Sequence, residues 1–298
     1  EKDEWTLIIR YSDDIYDLEN NIINSVVYLL GGFAVIKIYT YNISFLQADP
    51  RILYIDKASV YSYGNQMPDH VQTNFYSRYM ACLTDRTSTK YSLSGKGVCI
   101  GVIDSGLDIR NEEFCRDGKT RLLYYWNQNQ DYDDRNGNLY GMGRIYDQAE
   151  LDELLELGKN TGEINNTHGA EVTSVSAGNR LGVAQNADII MIEQKSAWSF
   201  PDTISIMYGI DFLARVSIHE NKPMIINLSY GNNYGAHDGS SIMEIFIDTL
   251  SKMGKINIVT GSGNDGDKRI HANGILGNIS FDDLNIDVSS GVRQFGIQ

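Results

Sequence analysis

The sequence predicts an α/β protein in which a doubly wound parallel sheet follows a small sheet of βαββαβ order. Three observations carry that expectation. Near-continuous apolar runs at 98–103, 187–192, 224–228 and 256–260 have the character of parallel strands buried on both faces. Helical patterns lie between those runs, and alternating strands and helices imply a parallel sheet covered on both sides. Residues 1–58, finally, carry strand and turn signals of their own.

In the first unit, residues 5–11 read as a strand, and Asp13 and Asp14 can cap a short helix running toward Ile22. Residues 25–30 and 33–39 are two β-rich runs separated by Gly31-Gly32, a pair whose positive φ angles suit a tight antiparallel turn. A short helix over 43–46, a break at Asp49-Pro50 and a strand over 52–56 complete a ferredoxin-like order. Residues 61–94 are irregular and polar, a linker or extended arm.

In the second unit the helices are expected over 169–177, closed by Gly178-Asn179; over 203–219, with Ile206, Ile210, Leu213 and Val216 on one stripe; and over 241–253, stopped by Gly254. The stretch between Asp104 and His168 looks like a surface excursion. Within it, Asp147-Gln148-Ala149-Glu150 has the pattern of a capping box, opening an acidic helix that ends at Gly158.

With 298 residues the chain can bury a large core plus a small one. A net charge of -14 argues against nucleic acid as a partner, since tracking phosphates requires clustered Lys and Arg. The apolar stretches fall short of the ~20 residues of a membrane helix, and no signal-type apolar region follows Glu1-Lys2-Asp3-Glu4, so a soluble chain without a membrane span is expected. Cys82, Cys99 and Cys115 show no paired spacing and suggest neither disulfide nor metal. The turn from Asp131 to Asn138 offers oxygens to Ca²⁺, but Arg135 interrupts the alternation of a calcium loop. A solvated turn is the preferred reading, and no cofactor is expected.

Chemistry concentrates at the ends of the apolar runs, where doubly wound sheets place their ligand sites. Asp104 ends the first run, and a carboxylate buried there needs a hydrogen-bonding or positive partner. His168, at a helix start, meets that need: Asp104 can accept from one ring nitrogen and leave the other as a base. Asn264 lies in a glycine-flanked turn after the last run, where its amide can donate to a developing oxyanion. Each alone is as well explained by structure: a strand-end carboxylate, a structural histidine, a plain Ser-Gly-Asn turn. Their joint order is what points to catalysis.

The segments VIDSGLD around Asp104, THGAEVTSVSAGN around His168, GVAQNADIIMI at 182–192, INLSYG at 226–231 and VTGSGNDG at 259–266 resemble the successive signature blocks of the subtilases, the subtilisin-like serine peptidases. That resemblance implies a subtilisin-like fold over 95–280. In it Asp104 orients, His168 is the general base and Asn264 is the oxyanion donor. Ser229, Tyr230 and Gly231 would pair with an extended peptide or protein substrate, and Gly261, Ser262 and Gly263 would wall the primary pocket. Residues 1–58 resemble a subtilase propeptide, with 59–94 as its processing arm in the active-site cleft and 281–298 as the start of a β-rich insertion or the domain end. The arrangement looks most like the clostridial spore-germination subtilases, which implies a spore-associated or extracellular setting.

Two departures from the family pattern stand out. Gly169-Ala170-Glu171 follows the histidine where the family has Gly-Thr-His, placing a carboxylate near the site. No Gly-Thr-Ser segment, the family's nucleophile motif, occurs in the chain, and Ser289 and Ser290 lack its context. The expectation is a serine endopeptidase zymogen whose nucleophile is missing from these residues, leaving them inactive alone. The rival is a pseudoprotease that keeps the fold as a binding or signalling scaffold.

Overall fold

The computed structural model describes residues 3–19, 21–63, 93–164, 166–180, 182–195, 201–232 and 236–263. The first unit is a four-stranded antiparallel sheet of β1 (Glu4–Tyr11), β2 (Ile23–Leu29), β3 (Phe33–Tyr39) and β4 (Ile52–Lys57), with α1 (Ile43–Ala48) before the last strand. Its order, β2-β3-β1-β4, is the ferredoxin-like one. Gly31 and Gly32 have φ of 77° and 79°, and a Cβ on Gly32 would lie 2.7 Å from the Tyr11 carbonyl oxygen. Only glycine turns the hairpin at that distance.

The expected helix from Asp13 toward Ile22 is a single 3₁₀ turn, Tyr16–Leu18. Its N-cap position is Ile15, without a side-chain cap; Asp13 accepts from the Asp14 N–H and Asp14 from the Tyr16 N–H, each at 2.8 Å. However, only Ile15 and Leu18 offer buried apolar side chains, and a single turn buries both. Asp17 is drawn outward to Arg51 at 2.6 Å.

Alternation splits the small sheet between two cores. Leu7, Ile9, Ala34, Ile36 and Ile38 face Leu46 of α1, while Ile8, Leu29, Phe33 and Val35 join the core of the larger unit.

The larger unit is built on β6 (Cys99–Asp104), in which every residue is buried. Its further strands are β9 (Leu122–Asn127), β10 (Arg144–Asp147), β11 (Asp188–Glu193), β12 (Met224–Leu228) and β14 (Ile256–Thr260), in the order β10-β9-β11-β6-β12-β14. Five of them run parallel, and β10 is an antiparallel edge. Two short strands, β7 (Cys115–Arg116) and β8 (Lys119–Thr120), form a separate hairpin, and β5 (Ser62–Tyr63) and β13 (Tyr230–Gly231) pair with each other. On one face, α2 (Gln148–Glu156) and α3 (His168–Ala177) lie over Val102, Tyr125 and Met191. On the other, α4 (Thr203–Glu220) and α5 (Ile242–Ser251) lie over Ile103, Ile190 and Ile192. Among the described residues no helix is long and apolar enough to cross a membrane.

The stretch from 104 to 168 is not the surface excursion expected of it. Leu122–Asn127 forms β9 inside the main sheet, beside β11, with Tyr125 and Trp126 wholly buried. Hydroxyl- and nitrogen-bearing rings give that run a polar look, yet their bodies are large apolar surfaces well suited to a pleated interior. The capping box does form: Asp147 accepts from the Glu150 N–H at 2.9 Å, and Gly158 follows in the left-handed region with φ of 65°.

The small sheet docks on α4 and α5. Phe33 meets Phe246 edge to face at 5.0 Å between ring centroids. At the hairpin, the Leu30 N–H donates to Asp211 Oδ1 at 2.7 Å and Arg215 donates to the Tyr28 carbonyl at 3.2 Å. Asp211, itself fully buried, also accepts from Arg215 at 2.6 Å and from Tyr140 at 2.9 Å. A buried carboxylate with such partners is satisfied; losing any one of them would leave it costly.

Candidate active site

Asp104 is the last residue of β6 and has no exposed surface. Two donors meet its Oδ1: the Ser105 N–H at 2.7 Å and His168 Nδ1 at 2.8 Å. Its Oδ2 is buried without a hydrogen-bond partner among the described residues. The tautomer that donates from Nδ1 carries its lone pair on Nε2, the arrangement a general base needs.

His168 opens α3, and its position follows from two glycines. A Cβ on Gly169 would lie 2.5 Å from the Gly106 carbonyl oxygen, and Gly106 itself has φ of 90°. With a side chain at either place the helix start could not reach the turn after β6. Ser105 ties the two together, accepting from the Gly169 N–H at 3.0 Å and donating to the Asn166 carbonyl at 3.3 Å. The His168 N–H is taken by Asn166 Oδ1 at 2.8 Å.

The hydrogen bond to Asp104 holds the His168 pKa above its ordinary 6.5, burial opposing it and the charges of Asp104 and Glu171 adding to it. Glu171, the departure noted in the sequence, also accepts from Thr167 at 2.9 Å.

Residues 229–231 leave β12, and 261–263 leave β14. These strands are parallel neighbours with Leu228 beside Thr260, so the two segments emerge side by side. Asn227 donates to Ser229 Oγ at 2.9 Å. Tyr230 and Gly231 form β13, which pairs antiparallel with Tyr63 and Ser62 of the arm. Gly263 has φ of 87°, and Gly261 and Ser262 are exposed. Asn264 lies outside the described residues, as do 64–92 of the arm and 281–298.

The sequence reading missed a second edge. The Tyr61 N–H donates to the Pro201 carbonyl at 2.8 Å, the Thr203 N–H to the Ser59 carbonyl at 2.9 Å, and the Ser59 N–H to Thr203 Oγ1 at 2.8 Å. An antiparallel bridge joins Val60 to Asp202. Extended backbone from 59 to 63 thus lies between 201–203 and β13, held on both sides, and Tyr61 lines a cleft together with Ile206, Leu228, Tyr230, Met243 and Ile247. In the sequence that edge shows only Pro201 and Asp202, residue types that suit a helix start equally well.

Among the described residues no three His, Cys, Asp or Glu side chains come together as a metal site. In the turn considered for Ca²⁺, the Asp133 carboxylate is engaged by Arg135 at 2.6 Å.

The parallel sheet thus places a carboxylate and an imidazole in hydrogen-bond contact at a strand end, and the strand next to that end leads into a segment paired with extended backbone of the arm. Residues 95–281 match the subtilase family, and the chain belongs to that family. Residues 1–58 match the Csp protease B prodomain.

Subtilisin-like protease 3 of Trichophyton equinum is 25% identical over 177 residues, covering 58% of this chain and 34% of the relative. Its namesake in Arthroderma benhamiae gives the same figures. The chain therefore spans about a third (34%) of the length of these curated relatives.

Among solved structures, the Clostridium perfringens CspB protease has a TM-score of 0.57 and 27% identity, covering 64% of this chain and 41% of that one. The epidermin leader peptide processing serine protease of Staphylococcus aureus, at 18% identity and TM-score 0.53 over 89% of this chain and 61% of its own, shares the fold.

Proposed function

We propose that these residues supply the acid, the base and the substrate groove of a serine endopeptidase, together with its own propeptide. The nucleophilic serine would lie outside the 298 residues, which alone would be inactive. The observation that carries the reading is the 2.8 Å bond between His168 Nδ1 and Asp104 Oδ1 at the end of β6. In this mechanism His168 Nε2 takes the proton of the attacking hydroxyl and returns it to the leaving amine, while Asp104 keeps the tautomer and stabilises the imidazolium. Asn264 would donate to the oxyanion, and a water would then release the acyl group.

Residues 1–58 act as the propeptide, 59–94 as the processing arm, 95–280 as the partial catalytic domain and 281–298 as the start of an insertion or the domain end. The arm pairing with β13 supports this division, since it lies where a substrate strand would add to a sheet edge. Substrates are proteins or peptides, and a spore-associated or extracellular setting fits the likeness to the CspB protease.

The test compares this chain with a longer protein extending it through a Gly-Thr-Ser segment, on a broad peptide mixture. The expected result is turnover by the longer protein alone, abolished by His168→Ala. Turnover by the chain itself that survives His168→Ala would overturn the reading, and a natural continuation without the serine would favour the scaffold.

A further inference from the structure

A second carboxylate stands beside the first. Glu193 ends β11 in register with Asp104 on β6, is only 5% exposed, and has no part in the chemistry above. Its partners are neutral: Tyr125 Oη donates to Oε2 at 2.7 Å and Asn129 Nδ2 to Oε1 at 3.2 Å, and Asn127 also bonds to it. Burial among neutral groups pushes its pKa up. A carboxylate held this way is costly to keep, and what it holds in return lies on the turn after Asp104.

We propose that Glu193 is a positioning residue for the Asp104–His168 pair, acting through the Tyr125 hydroxyl on the turn of Ser105, Gly106 and Leu107. The inference deepens the acid–base reading of this site and rests on it. Tyr125 Oη accepts from the Leu107 N–H at 3.1 Å. Its own proton goes to Glu193 at 2.7 Å, the nearer acceptor, with the Leu107 carbonyl at 3.3 Å. The relay thus runs from the turn's N–H through the hydroxyl to the carboxylate, each bond polarising the next.

Packing says the same. A Cβ on Gly106 would lie 2.8 Å from both Glu193 Cγ and Tyr125 Oη, so these two side chains form the floor of the turn. Its roof is α3, whose Gly169 approaches the Gly106 carbonyl with no room for a methyl group. A shift of the floor therefore reaches Ser105, which bonds both the helix start and Asp104 Oδ1. The 2.8 Å acid–base contact is set by a turn clamped from both sides.

The test reads the pair directly by NMR of the full chain, through the downfield resonance of the His168 Nδ1 proton and the His168 titration midpoint. The charged groups facing His168 are Asp104 from β6 and Glu171 on its own helix. Neither is altered in the variants; E193A and E193Q both remove the Glu193 carboxylate from the strand beside Asp104, so their midpoints are compared with each other, and Y125F, which removes no carboxylate, reports geometry alone.

In E193A and Y125F the resonance should move upfield or broaden by exchange, and the midpoint should fall toward 6.5. E193Q, whose amide oxygen still accepts from Tyr125, should keep the wild-type resonance and a midpoint above that of E193A. An unchanged resonance and midpoint in both E193A and Y125F would overturn the proposal, as would E193Q falling as far as E193A. If E193A does not fold, Y125F decides, since it removes a single oxygen and a melting curve shows whether it is native. The readout needs no turnover, so failure of the peptidase reading and failure of this inference are separate outcomes.

Discussion

The two sheets of this molecule solve the same burial problem differently. The six-stranded sheet brings its own cover, with α2 and α3 over one face and α4 and α5 over the other. The four-stranded sheet covers one face with the six-residue α1 and leaves the other, carrying Ile8, Leu29, Phe33 and Val35, to be buried by the helices of its larger neighbour. A unit whose core is half borrowed depends on the contact for its stability, whereas its host carries the Asp104–His168 pair and supplies its own layers. The difference suits a propeptide and a catalytic domain, and it predicts that lesions in the two regions separate cleanly.

The largest effect is expected at the strand end. Asp104→Asn, in a longer protein carrying the serine, should lower kcat by ~10⁴-fold, the scale of the equivalent tautomer defect in other serine peptidases. Docking of the small sheet should be untouched. In the chain as it stands, the same substitution should lower the His168 pKa, because its raised value has the Asp104 hydrogen bond as its largest cause. The linkage has a definite sign: a folded pKa raised above 6.5 gives stability that is fully present below 6.5 and is lost as pH rises through the folded value. Unfolding titrations across that window should therefore show wild-type stability falling with rising pH and a flatter profile for Asp104→Asn. Parallel profiles would break the assignment of the pair.

At the docking face the expected effect is on assembly. Phe33→Ala removes a fully buried ring packed on Phe246, and truncations of this kind cost about 3–5 kcal/mol. The variant should unfold at lower denaturant and expose the small sheet to protease, while the His168 Nδ1 resonance keeps its place. A shifted resonance would show that the two regions are coupled and would spoil the comparison.

What was legible in the sequence follows the same division. Strands and hairpin of the small sheet were readable because β-rich runs and Gly31-Gly32 are local signals. The parallel strands of the large sheet were readable as apolar runs. Leu122–Asn127 was not, because Tyr125 and Trp126 bury as fully as aliphatic residues only once the neighbouring strand and the covering layers on both faces of the sheet are in place. Asp104 and His168 were legible through their place at a strand end and a helix start. Pro201 to Thr203 were not, since an edge made of backbone hydrogen bonds leaves little trace in side-chain types, and Glu193 looked like the tail of an apolar strand. Local chemistry marks where a side chain acts; where backbone acts, or one side chain acts through another, three dimensions are needed.

The smallest effect separates two helix starts that look alike. Asp147 and Asp202 both form capping boxes, accepting from Glu150 and Ser205 N–H groups at 2.9 Å and 2.8 Å. Replacing either by alanine should lower stability by about 1 kcal/mol, the usual worth of an N-cap. Only the second cap belongs to an edge that carries the arm, through the bridge to Val60 and the Tyr61 N–H bond to Pro201. Asp202→Ala should therefore speed amide exchange at Tyr61 and Thr203, whereas Asp147→Ala leaves both protected. Equal protection in the two variants would mean that the arm is held by β13 alone, and the edge at 201–203 would then be a neighbour of the arm without being part of its grip.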